Sequence, residues 1–263
     1  MTTIATLAFT SLIAASALTF HANAQAQGRN AQDRMVNPLF DTPLRQQTLF
    51  IPANTQEHSA GALICFYYPH LMLKEASYDD HKGAGLLSTT YFLKEADAPV
   101  CQFDRSNNER EVNNWGGFFL GVKGPYIVFE GDDGDGNGMP FSVYTTQGAR
   151  ILTDSGVLHS VDLSAPVRDP DLRPWYENPL VLRYRRSYLA PCSLREDATS
   201  CWNTIARVTG LTQAAPPDCQ ATYTDEDKIA PSYIDYDVEA TLDERGIIHL
   251  APLGPVENCY PAP

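Results

Sequence analysis

From Gln47 onward the apolar positions fall in short runs of β-branched and aromatic residues, each cut off by Gly, Pro, Asn or Asp. Bounded runs of this kind are what half-buried strands and tight connections require. They predict strands over residues 48–51, 62–68, 71–74, 86–93, 117–122, 126–130, 141–145, 150–153, 157–163, 180–189, 233–242 and 247–250. The clearest stretch lies between Trp115 and Thr153, where successive apolar runs are divided by Lys123-Gly124-Pro125 and Gln147-Gly148, segments with the length and composition of hairpin turns. The expected fold class is therefore all-β, built of antiparallel meander sheets. Such a short meander has the size of one propeller blade, with residues 60–93 as a less regular second; a β-sandwich with long loops is the alternative, because no internal repeat sets a blade count.

One segment changes period. Trp202, Ile205, Ala206 and Leu211 recur at helical spacing, and Gly210 supplies a stop signal, so one short helix is expected near residues 199–210. Cys192 and Cys201 flank its start. Residues 212–228 are rich in Pro and Asp and read as a surface connection.

The N-terminal end has a different character. Residues 4–20 form an uncharged apolar run followed by Ala22-Asn23-Ala24, the small-x-small pattern that signal peptidases cut. Residues 1–26 are thus expected to be a signal peptide, residues 27–46 a flexible leader, and residues 47–263 a single disulfide-stapled β domain. A periplasmic or secreted location follows from this reading. No later segment is both uncharged and long enough to span a bilayer, so no stable membrane insertion is expected after signal removal.

The cysteines fit the same compartment. Cys65, Cys101, Cys192, Cys201, Cys219 and Cys259 include no C-x-x-C pair of the kind that holds zinc, and in an exported chain an even count reads as disulfides. Neighbour order suggests Cys65 with Cys101, Cys192 with Cys201, and Cys219 with Cys259. The formal charge of −13 disfavours nucleic acid and anionic lipid as partners, and favours cations and basic proteins.

Four places carry candidate chemistry. Asp133-x-Asp135-x-Asn137-Gly138 matches the first half of a calcium loop, in which oxygen ligands two residues apart wrap a hard cation and the glycine allows the turn. Tyr144 stands where that loop's closing carboxylate belongs, and an acidic glycine-rich turn accounts for the same residues. Asp169, Asp171, Trp175 and Glu177 share a proline-rich stretch whose aromatic and carboxylate mix suits a glycan. On a strand, Arg183 and Arg185 share one face and Tyr184 and Arg186 the other, giving either an anion site or internal ion pairs. Asp154, Ser155 and His159 include triad residue types, but they sit too close in sequence to converge from separate elements, and no Gly-x-Ser-x-Gly elbow is present. No cofactor other than calcium is suggested.

The expectation is therefore a secreted or periplasmic binding or interaction protein without a catalytic set, its partner a basic protein or a glycan. The alternatives are a carbohydrate-binding protein or glycan-active enzyme, and a calcium-stabilised structural envelope protein.

Overall fold

The computed structural model describes residues 38–51, 60–78, 87–92, 94–112, 118–131, 139–163, 179–243 and 245–262. These form two antiparallel sheets and one α-helix. The first sheet is a meander of β1 (Arg45–Ile51), β2 (Gly61–Tyr68), β3 (Leu71–Tyr78), β4 (Leu87–Tyr91) and β5 (Arg110–Val112), in that spatial order. The second runs β6 (Phe118–Lys123), β7 (Tyr126–Glu130), β8 (Pro140–Thr145), β9 (Arg150–Leu163), β10 (Leu180–Leu189), β11 (Ser232–Leu242) and β12 (Ile248–Pro252). A final strand, β13 (Asn258–Pro261), pairs with the opening residues of β11, while β12 pairs with its closing residues. The helix is α1 (Ala198–Thr209).

The all-β, antiparallel meander expectation holds, since every ladder except β11–β13 joins strands consecutive in the chain. The described strands form unequal sheets of five and eight strands that stack face to face, with no closed barrel among them. Both expected hairpin turns are present, with Gly124 at φ 53° and Gly148 at φ 91° in the left-handed region that glycine tolerates. The helix is closed at both ends as its sequence implies. Asp197 accepts a hydrogen bond from the Ser200 N–H at 3.1 Å, and Gly210, at φ 78°, donates its N–H to the Ala206 carbonyl at 2.9 Å.

Burial explains the layering. On β7, Tyr126 and Val128 enter a core with Phe141, Val143, Leu182, Tyr184 and Tyr236, closed by Trp202 and Ile205 of α1. The alternate residues Ile127 and Phe129 enter a second core, with Phe66 and Leu73 of the first sheet. β7 is therefore the middle layer, buried on both faces, which is why Tyr-Ile-Val-Phe shows no polar alternation. A third cluster, including Leu63, Cys65, Tyr67 and Met72, lies on the outer face of the first sheet against Phe92 and Cys101. The disulfides pair in neighbour order, Cys65 with Cys101, Cys192 with Cys201, and Cys219 with Cys259. They fasten respectively the segment covering the third cluster, the first turn of α1, and β13. Closing loops of these sizes contributes on the order of 3 kcal/mol each through the unfolded chain.

Three expectations require correction. Residues 150–153 and 157–163 are not two strands but the single 14-residue β9. It pairs with β8 over Arg150–Ser155 and with β10 over Gly156–Leu163, so Gly156, a breaker by composition, is the crossing point between two ladders. The Arg185 carbonyl lies where a Cβ on residue 156 would have to stand, so only glycine fits. The strands β5 and β13 were not anticipated because they are short and carry charge or proline. Finally, residues 38–46, assigned to a flexible leader, belong to the fold. Phe40 is buried, the Asp41 N–H donates to the Val122 carbonyl at 2.8 Å, and the Gly124 N–H donates to Asp41 Oδ2 at 2.7 Å. The Phe40 ring occupies the space that a side chain on Gly121 would need.

That contact makes a test of the packed N-terminal segment. Phe40→Ala is expected to destabilise the protein by about 3 kcal/mol. Gly121→Ala should be costly alone but nearly neutral in the Phe40→Ala background, a coupling readable from urea unfolding of the double-mutant cycle. Independent, near-zero effects would mean that the segment is a leader after all.

Candidate binding face

β11 alternates without a break: Ile234, Tyr236, Val238, Ala240 and Leu242 point into the core, while Tyr233, Asp235, Asp237 and Glu239 point outward. The register sets each outward residue beside one from β10, with Arg183 opposite Glu239, Arg185 opposite Asp237, Ser187 opposite Asp235 and Leu189 opposite Tyr233. Contacts follow the register. Arg183 Nε lies 2.9 Å from Glu239 Oε2, and Arg185 Nε 3.2 Å from Asp237 Oδ1. Arg185 also reaches Glu257, its Nη2 2.5 Å from Oε2. The hydrogen bond to Asp237 is the first cause that raises the Arg185 pKa, with the neighbouring charges of Asp237, Glu257 and Asp235 adding to it. Exposed pairs of this kind contribute roughly 0.2–1 kcal/mol each, so they select register more than they stabilise the fold.

At the β13 end of the face, Tyr233 and Tyr260 stack as a directly opposed cross-strand pair, ring centroids 5.7 Å apart. Asp235 accepts hydrogen bonds from the Ser187 hydroxyl at 2.8 Å, the Tyr260 hydroxyl at 3.1 Å and the Asn258 side-chain amide at 3.3 Å. Burial, with the Asp235 charge beside it, pushes the Tyr260 phenol up to about 12. At the β9 end the ladder slips by one residue, since Arg183 faces Ser160 while Tyr184 faces Leu158. His159 is the extra residue of this bulge, and its Nε2 lies 3.6 Å from Asp237 Oδ1.

Arg186 behaves differently from its neighbours. It turns to the opposite side of β10, where its Nε lies 2.9 Å from Asp154 Oδ2 and its Nη1 donates to the Tyr236 hydroxyl at 2.9 Å. The Tyr184 hydroxyl donates to the same Asp154 carboxylate at 2.6 Å. Burial first, and the Asp154 charge next, hold the Tyr184 phenol far above its ordinary value. Asp154 was noticed in the sequence beside Ser155 and His159, yet its partners come from β10, and no local signal connects them.

A second polar cluster also escaped the sequence. Lys74 and Ser88 are register partners on β3 and β4, and both turn toward Glu109. Lys74 Nζ donates to Glu109 Oε2 at 3.0 Å and to the Asp104 carbonyl at 3.1 Å, and the Ser88 hydroxyl donates to Glu109 Oε1 at 2.5 Å. Ser and Lys are nucleophile and base types. Here the serine proton is committed to a carboxylate and the cluster is buried, so it works as a latch holding the segment before β5 on the sheet. Burial alone would raise the Glu109 pKa, but the bonds from Ser88, Lys74 and the Ser106 N–H, with the Lys74 charge, bring it below the ordinary value.

Of the residues singled out in the sequence, Arg183 and Arg185 meet on this outer face and are engaged by carboxylates. Asp133, Asp135 and Asn137 lie in residues 132–138, and Asp169, Asp171, Trp175 and Glu177 in residues 164–178, both outside the described residues. Among the described residues no three His, Cys, Asp or Glu side chains converge as metal ligands.

The two kinds of arginine should separate on mutation. Arg186→Ala leaves Asp154 buried without its cation and is expected to cost about 3–5 kcal/mol in chemical unfolding, against less than about 1 for Arg183→Ala. The latch should appear in the pH dependence. A carboxylate whose folded pKa lies below its unfolded value, about 4.3 for Glu, contributes stability that is complete above that value and is lost as pH falls through the folded pKa. Thermal melts from about pH 5 downward should therefore lose less stability in Glu109→Gln than in the parent chain; parallel curves would contradict the assignment. Comparison of the chain with protein-family models, curated proteins and solved structures finds no match.

Proposed function

We propose that this chain is a binding protein of an oxidising, extracytoplasmic compartment, and that it receives its partner on the outer face of β9, β10, β11 and β13. Paired cysteines and the absence, among the described residues, of a helix long and apolar enough to cross a membrane are compatible with that compartment. The expected signal peptide supports the same reading. The observation that carries the proposal is the contrast between sheet faces. β2 and β7 are covered on both sides by apolar clusters, whereas the outer face of β10 and β11 presents half-exposed arginines, carboxylates and a tyrosine pair.

A polar face of this breadth, flanked by the exposed apolar residues Val157 and Leu189, has the mixed anatomy of a protein-binding surface. The arginines are held by cross-strand carboxylates, so the side chains are ordered before a partner arrives, which reduces the entropy lost on binding. No catalytic step is assigned to it, because the nucleophile types with defined partners serve as packing and latch groups.

The test is positional. A photo-crosslinking residue at Val157 or Leu189, on this face, should yield adducts in the exported fraction of the source cell. The same probe at Val208, exposed on α1, should not. Equal yields from both places, or adducts from Val208 alone, would remove the assignment.

A further inference from the structure

We propose that the partner is a basic polypeptide, and that its arginines enter the corner of this face formed by Asp235, Asp237 and Glu257 beside the Tyr233–Tyr260 stack. This rests on the reading of the outer face as the binding surface. Charge complementarity favours this occupant. On this face Asp162, Asp235, Asp237, Glu239 and Glu257 outnumber Arg183 and Arg185. Glu239 is matched by Arg183, so the excess is not spread evenly. It gathers around Arg185, whose single guanidinium serves both Asp237 and Glu257, while the side-chain hydrogen bonds to Asp235 among the described residues come from neutral groups, those of Ser187, Tyr260 and Asn258. That local excess adds to the field of a chain whose formal charge is −13, and both draw cations to the same place.

The aromatic pair narrows the class of cation. A guanidinium stacks on a tyrosine face while its N–H fork engages carboxylates, a combination that a lysine ammonium reproduces less well. The fold already contains such a contact, with the Arg45 guanidinium 3.6 Å from the Tyr67 ring centroid. A polypeptide suits the site better than a free metal cation, since no three acidic side chains among the described residues converge as ligands. The neighbouring Leu189, about half exposed, offers apolar contact that a peptide side chain can meet. Nucleic acid, a polyanion, is repelled by the same charges.

The experiment uses the purified full chain and labelled poly-L-arginine, with poly-L-lysine and poly-L-glutamate as comparisons. Poly-L-arginine is expected to bind more tightly than poly-L-lysine, and poly-L-glutamate not at all. The double variant Asp235→Asn, Asp237→Asn should weaken poly-L-arginine binding by about tenfold or more. Glu257→Gln, a change to an exposed side chain outside the strands, should weaken it in the same direction and guards against a folding defect in the double variant. A charge-matched control on the surface connection, Asp225→Asn with Glu226→Gln, should leave binding unchanged.

Equal binding of the two polycations, or equal loss in the control and the corner variants, would overturn the proposal by showing attraction to net charge alone. Failure of poly-L-arginine to bind, with photo-crosslinks from Val157 or Leu189 intact, would overturn the basic partner while leaving the face as a binding surface. Corner-dependent binding with no face-specific crosslinks would uphold the corner's preference for arginine and reject the face as the site of a resident partner.

Discussion

The close backbone approach at Gly156 is the constraint on which the rest of the second sheet depends. Up to Ser155 the strand β9 belongs to the ladder of β8, and from Gly156 to the ladder of β10, so one continuous backbone serves two half-sheets. Because the Arg185 carbonyl occupies the space of a side chain at 156, only glycine lets the two halves join there. Phe141 from one half and Tyr184 from the other then meet edge to face, 5.0 Å between ring centroids, and the core around them is closed by α1. The Asp154–Arg186 pair lies at this junction, which puts a charged contact where the two ladders exchange.

β10 divides its three arginines between two roles. Arg183 and Arg185 remain in water and contribute little to stability, but they order an outward surface; Arg186 is largely buried and is committed to a single geometry. Alternation along one strand is enough to produce this division. A pleated strand puts neighbouring side chains in different solvents, so adjacent identical residues acquire unlike energies.

Much of the fold was legible because its signals are local. The runs that became β2, β7, β8 and β10, the turn at Gly124, the caps of α1 and the order of cysteine pairing each depend on a few adjacent residues or on nearest neighbours in the chain. The alternation of Tyr233 to Leu242 likewise shows at a glance which side of β11 faces the core. What escaped was set by distant partners. Gly156 looks like a strand breaker until Arg185 is beside it, Phe40 looks like part of a polar leader until Gly121 leaves room for its ring, and Glu109 has no visible role until Lys74 and Ser88 face it. The candidate face was half visible: Arg183 and Arg185 stood out as a basic patch, but Asp237, Glu239 and Glu257 were not connected to them, since only the β10–β11 register and the return of the chain through Glu257 bring them together.

The cysteine pairing has a further consequence for how the chain reaches its native state. The six cysteines pair off in order along the sequence, so Cys101 meets Cys65 before Cys192 is needed, and Cys192 meets Cys201 before Cys219 is needed. No bridge encloses another, and none ties the first sheet to the second. A chain delivered from its N-terminal end can therefore oxidise its cysteines in the order in which they emerge, each at its correct partner, without a reshuffling step. Strand ladders that join consecutive segments follow the same order, so covalent and non-covalent assembly advance together along the sequence.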